Sequence, residues 1–248
     1  QRRRGAAHPL AQHRRQIDAV PVLQRQRQPP LGVPFLPQRP QDDVADVPGE
    51  PARCFWCRAT PLYRHYHDHE WGHPVVDDIR LFEKISLEGF QAGLSWITIL
   101  RKREAFRAGF DGFDFHTVSR YTSRDVERLL ADAGIVRHRG KIEATVAGAR
   151  KYLELEERSG GFAGFLWGFV GGQPIQNAWR SPAEVPTETA ESRAMAKALK
   201  AEGFRFCGPV ISYAFMQATG MVNDHITTCP RHAHLETPGA TVRSGRGR

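Results

Sequence analysis

Between residues 78 and 220, apolar side chains recur three and four apart, the period of an α-helix with one buried face. In DDIRLFEKISLEGFQAG, Leu81, Phe82, Ile85 and Ala92 fall on one such face. SWITILRKREAFRAGF follows, with Ser95 placed as its N-cap. SRDVERLLADAG predicts a helix closed by Gly134 as its C′ residue. GKIEATVAGARKYLELEE predicts another, and ESRAMAKALKAEG one that stops at Gly203. GPVISYAFMQATG carries Pro209 at a first helical position and Gly220 at its end. No hairpin signal separates these segments. The expectation is an all-α domain with short connections and no internal repeats.

The flanks read differently. Residues 1–52 include RQRQPPLGVPFLPQRPQDD, rich in Gln, Arg and Pro and without a period, so a disordered extension is expected there. The start, QRRRGAAHPL, is basic with no apolar core behind it and no Met. That is expected of a truncated or over-extended reading frame, not of a secretory signal. The folded domain is expected over 53–232, and 233–248 as a disordered basic tail.

Lys and Arg number 35 against 27 Asp and Glu, a net charge of +8, and the pI is about 9.7. Such an excess points to an anionic partner, nucleic acid first. Four cysteines are too few for a disulfide scaffold and suit reduced thiols or metal ligands in a cytoplasmic protein. No stretch nears the roughly 18 apolar residues of a membrane span.

Several groupings carry chemistry. Glu88 shares the stripe of Leu81, Ile85 and Ala92, so a carboxylate sits where burial is expected, at a cost of several kcal/mol unless it has a partner or a task. Trp56, Tyr63, Tyr66, Trp71 and Trp96 gather in the same region. With one carboxylate they would suit a planar, cationic base. HITTC sets His225 and Cys229 four apart, on one side of a helical or turn-like backbone. Cys54 and His67 offer a second pair, and together they make a tetrahedral Cys₂His₂ set for zinc. Cys54-x-x-Cys57 is a competing pair. In LLADAGIVRHRGKIEA, Gly134 and Gly140 bound a loop with Arg137, His138 and Arg139, and Lys141 opens the next helix. This is the pattern of a helix–hairpin–helix that grips phosphates.

RCFW, YHDHEWG, SLEGFQAGLSWITIL, DAGIVRHRGKI, SYAFMQATGMVNDH and VNDHITTC together resemble the DNA-3-methyladenine glycosylase I family, over nearly all of 53–229. The resemblance implies a helix–hairpin–helix glycosylase with one structural zinc on Cys54, His67, His225 and Cys229. It implies Glu88 as the base-binding carboxylate, and Tyr66 and Trp96 as the stacking pair of the catalytic pocket. Tyr63, Trp56 and Trp71 become its further walls, and Gly134, Arg137, Arg139, Gly140 and Lys141 the DNA-backbone contacts. Cys57 departs from the family pattern. His65 and His69 are expected near solvent or DNA, and Asp68 and Glu70 in structural roles. The implied activity is hydrolysis of the N-glycosidic bond of 3-methyladenine, flipped from alkylated double-stranded DNA, by a cytoplasmic monomer. Two rivals are weaker. A lyase using Lys141 would want an aspartate beyond the second helix, where ERSGGFAGF has none. A zinc-stabilised binding module would not need a base-sized pocket.

Overall fold

Side-chain caps start several of the helices. In chain order, the computed structural model, which describes residues 53–159 and 161–236, contains α1 (Pro61–His69), α2 (Asp78–Gln91), α3 (Trp96–Gly109), α4 (Phe115–Val118) and α5 (Ser123–Ala131). These are followed by α6 (Arg139–Ser159), α7 (Phe162–Trp167), α8 (Ala190–Ala201), α9 (Pro209–Ala218) and α10 (Pro230–Glu236). Thr60, Asp77, Asp114 and Thr189 each accept a backbone N–H from the first turn of the helix that follows. Ser95 holds the N-cap position of α3, although its hydroxyl bonds the Thr98 hydroxyl at 2.8 Å and not a backbone N–H.

The domain is helical throughout, as the periodicity predicts, with one small exception. β1 (Ile175–Gln176) pairs in parallel with β2 (Val222–Asn223), Ile175 opposite Val222. Gly203 and Gly220 follow α8 and α9 with positive φ, and both helices close in the two-bond Schellman pattern. No described helix is long and apolar enough to cross a membrane.

Three expectations change. Helix α2 is not half-exposed. Every residue from Leu81 to Phe90 is buried, because α3, α6, α7 and α9 surround it. Gly134 is not a left-handed cap. Helix α5 ends at Ala131, and Gly134 keeps a negative φ. Glycine is needed there for closeness, since a Cβ would stand 2.8 Å from that of Ala105. The ordered chain also passes residue 232. Helix α10 continues to Glu236, with Leu235 against Gly72, because its apolar side chain finds a seat that composition does not show. The expected extension at 1–52 and the tail from 237 lie outside the described residues.

The core is aromatic. Phe82, Phe115 and Tyr152 meet with centroids 4.0–6.3 Å apart, and Phe110 stacks on Phe113 at 5.4 Å. Gly220 joins this core to the loop after α1. A Cβ there would come within 2.5 Å of the His73 carbonyl carbon and the Pro74 nitrogen, at a φ of +69°. Gly220→Ala is therefore expected to lower unfolding stability by more than about 2 kcal/mol, measured by urea titration.

Candidate functional site

YRHYHDHEWG, with its three histidines, is mostly helix. Thr60 caps α1 and Pro61 opens it, and the four-residue spacing aims Tyr63 and His67 to one side. Tyr66 and His67 are buried, His69 is exposed, and His65 lies against it with centroids 4.7 Å apart.

His67 meets the far end of the chain. Its Nε2 is 3.1 Å from His225 Nδ1 and 3.5 Å from Cys229 Sγ, and Cys54 Sγ is 3.7 Å from His225 Nδ1. Cys54, His67, His225 and Cys229 are all buried, and their ligand atoms lie within 4.8 Å of one another. A tetrahedron with metal–sulfur bonds of about 2.3 Å and metal–nitrogen bonds of about 2.0–2.1 Å has edges of about 3.3–3.8 Å, so the donors fit one ion. Cys57 stands outside the group, its thiol donating to the Cys54 carbonyl at 3.0 Å. An outer shell orients the ligands. Asp68 meets His67 Nδ1 at 2.7 Å and is itself held by Arg53, while His225 Nε2 faces the Trp71 carbonyl at 3.3 Å. Next to His225, the buried Asp224 accepts from Asn177, Trp179, Tyr213 and Gln217 at 2.6–2.8 Å, which fixes the loop presenting that histidine.

An aromatic cluster lies alongside. Trp56 packs on Tyr63, Tyr66, His67 and Trp71 at centroid distances of 5.1–6.3 Å, and Tyr66 meets Trp96 at 5.5 Å. Thus the predicted aromatics do converge, and Trp56 and Trp71 link the Tyr66–Trp96 pair to the cysteine–histidine group. The Trp96 indole N–H is buried with no acceptor among the described residues.

Glu88 is only 4% exposed. Among the described residues no donor reaches its carboxylate within hydrogen-bonding distance. Burial pushes the Glu88 acid up to about 8, with the Lys84 charge acting against that shift. Burial likewise raises the Tyr66 and Tyr63 hydroxyls above the usual tyrosine range, and Glu88 adds to the effect. Behind Tyr66, Arg103 grips Glu70 with two bonds of 2.6 and 2.9 Å. Arg107 bonds Glu83 at 2.8 Å.

Residues 132–138 form the turn between α5 and α6. His138 caps α6, its carbonyl accepting from the Lys141 and Ile142 N–H groups at 3.0 Å. Arg137 is exposed. The Gly140 carbonyl accepts from Arg205 at 2.8 Å, and Arg139 is drawn to Glu127 at 2.6 Å. Lys141 departs from expectation. It is buried, and its amine donates to the carbonyls of Phe90 and Ala92 at 2.9 and 2.5 Å. These carbonyls end α2 and have no partner inside that helix, so they attract the ammonium more strongly than solvent does. Lys102 of α3 secures the same turn, donating to Ala133 and Gly134 carbonyls at 2.9 and 3.2 Å.

Residues 56–232 match the model of a family described as methyladenine glycosylase. The chain belongs to the methyladenine glycosylase family. It is 52% identical over 177 residues to DNA-3-methyladenine glycosylase 1 of Escherichia coli (strain K12), a match spanning 71% of this chain and 95% of that one. A crystal structure of 3-methyladenine DNA glycosylase I is 53% identical and superposes with a TM-score of 0.70, covering 72% of this chain and 98% of the other. A structure from Staphylococcus aureus, concerned with recognition of 3-methyladenine by its 3-methyladenine DNA glycosylase I, is 39% identical with a TM-score of 0.70. It covers 71% of this chain and 94% of that one.

In this methyladenine glycosylase family member, Lys84, Arg103, Lys102 and Asp224 escape a reading of sequence. Each works through a contact in space, and only the spacing of Lys84 from Glu88 marks any of them in advance. Lys141 gives the clearest test. Lys141→Met is expected to cost about 1–3 kcal/mol of stability in urea, since it strips two buried carbonyls of their donor. The salt dependence of duplex DNA binding should not change. A log–log slope lower by about one would make Lys141 a phosphate contact after all.

Proposed function

We propose that this chain is a monofunctional DNA-3-methyladenine glycosylase that flips the damaged nucleotide from duplex DNA and hydrolyses its N-glycosidic bond. The observation that carries the reading is Glu88, a buried carboxylate without a hydrogen-bond donor, beside a tyrosine–tryptophan pair. N3-alkylation makes adenine cationic. A cationic ring stacked on Tyr66 and Trp96 would present its exocyclic amino edge to Glu88 and supply the missing counter-charge. The Trp96 N–H, buried without an acceptor, is a further polar group for the base to satisfy. Tyr63, Trp56 and Trp71 complete the wall and exclude water. The alkylated base is already a good leaving group, so water can complete hydrolysis with little acid–base assistance. Relatives named for this activity, at up to 52% identity in the sequence matches given above, support the assignment.

The turn between α5 and α6 is read as a helix–hairpin–helix. It would hold the phosphate backbone through N–H groups at the start of α6 and through Arg137, with Gly134 and Gly140 keeping the backbone close. Lys141 drops out of that set, and its bonds to carbonyls support hydrolysis without a covalent lysine adduct. Cys54, His67, His225 and Cys229 would hold zinc in a closed, structural site, because protein ligands fill all four positions. Such an ion would cross-link the two ends of the domain.

Two outcomes test this. Glu88→Gln keeps the side-chain shape and should lower 3-methyladenine excision by about ten- to a hundredfold, the worth of one charge-assisted hydrogen bond, measured in single-turnover release from methylated DNA. The same change should stabilise the protein. With the folded acid raised from 4.5 to about 8, the native state binds more protons than the unfolded chain in that window. Wild-type stability therefore falls as pH rises from 4.5 through about 8, while Glu88→Gln escapes that loss. Thermal unfolding should show its advantage growing across the window. Separately, Cys229→Ser should lose bound zinc by elemental analysis and unfold more readily, and Cys57→Ser should retain the metal.

A further inference from the structure

Lys84 is buried on α2, one helical turn before Glu88. Residues four apart on a helix share a face, with Cβ atoms about 5–6 Å apart. The Lys84 ammonium lies over the Tyr66 ring, 5.5 Å from its centroid. Among the described residues it makes no hydrogen bond and no direct ion pair. Its acidic neighbours are Glu70, Glu83 and Glu88, and the first two already have cations, Arg103 and Arg107. Glu88 has none. The site therefore holds one unmatched ammonium and one unmatched carboxylate on the same face of the same helix. Each alone would cost several kcal/mol to bury, and a chain keeps such a pair where the two charges offset each other or serve a ligand.

We propose that Lys84 is a positioning residue for base recognition, whose ammonium eases ionisation of Glu88 as a cationic base arrives and anchors the Tyr66 ring beforehand. The inference rests on the reading of Glu88 as the base-recognising carboxylate. An arriving cation then meets a ring already placed and an acid that the neighbouring ammonium has made easier to ionise, so less has to be organised during binding. The direction of the Lys84 effect on Glu88 agrees with this. Burial raises Glu88 and Lys84 is the charge that opposes it. Burial lowers Lys84 to about 8, opposed first by Glu70. The groups facing the pair are Tyr63 and Tyr66 from α1, Glu70 beyond its end, Arg103 from α3, and Arg80 and Glu83 from α2 itself.

The test is the pH profile of single-turnover 3-methyladenine release from methylated duplex DNA, corrected for spontaneous release. It is measured for wild type, Lys84→Met, Lys84→Arg and Glu88→Gln. Removing the ammonium leaves Glu88 harder to ionise. The acidic limb of Lys84→Met should move to higher pH by about one unit or more, with a loss of roughly tenfold near neutrality that alkali restores. Lys84→Arg should keep the wild-type limb even if its absolute rate is lower. If Lys84→Met lowers the rate at every pH with the limb unmoved, or if Lys84→Arg shifts it as far as Met does, Lys84 is only a packing residue and the proposal falls. Lys84→Gln is read in the same way should the Met variant not fold. Glu88→Gln separates the two ideas. If it abolishes the limb while Lys84→Met leaves it in place, Glu88 keeps its role and Lys84 loses its own. If it retains the limb, the reading of Glu88 fails and this proposal fails with it.

Discussion

Ten consecutive residues of α2 are kept from water, and three of them can carry charge. That constraint governs the surrounding structure. Glu83 survives burial because Arg107 reaches it, and the Glu70–Arg103 fork supplies a second matched pair beside Lys84. Glu88 is left with an ammonium one turn away and aromatic rings around it. Neutral fold-forming residues would fill the same volume at lower cost. A helix so placed carries one buried carboxyl group that no described donor reaches.

The cysteine–histidine group and the aromatic cluster adjoin each other. His67 follows Tyr66 in α1, so a single turn of helix gives one side chain to each. Trp56 and Trp71 touch both sets of rings. Asp68 steadies His67 from behind, and Asp224, with four hydrogen bonds, steadies the loop of His225. Elsewhere, Lys141 and Lys102 tie the α5–α6 turn to α2 and α3. A shift of that turn would have to break charged hydrogen bonds to carbonyls, so turn and pocket keep their spacing.

Much of this was legible in the sequence, for identifiable reasons. The 3.6 period and the terminal glycines revealed most long helices, and the four-residue step in HITTC brought His225 and Cys229 together before any coordinate did. Glu88 stood out because it broke an apolar stripe. The failures share one cause. Burial of α2 on all sides depends on helices distant in the chain, and the partners of Glu83 and Lys84, Arg107 and the Tyr66 ring, are likewise far off in sequence. Lys141 looked like a phosphate contact because it opens a helix in a basic loop. The unbonded carbonyls that claim it belong to a helix some fifty residues earlier, at separations of 51 and 49. Gly134 read as a left-handed cap and proves to be a close approach, since the two needs leave the same letter.

The meeting of Cys54 with Cys229 also has a topological consequence. The chain enters the domain and leaves it at one place, because Cys54, His67, His225 and Cys229 bring residues from both ends into one cluster. Joining those ends with a short linker would ask for little new chain, and new termini could be opened in an exposed connection such as the one around Gly171 and Gly172, where a side chain would meet nothing. Order of elements along the chain is then almost incidental to the pocket, and the same architecture could be threaded from a different starting point.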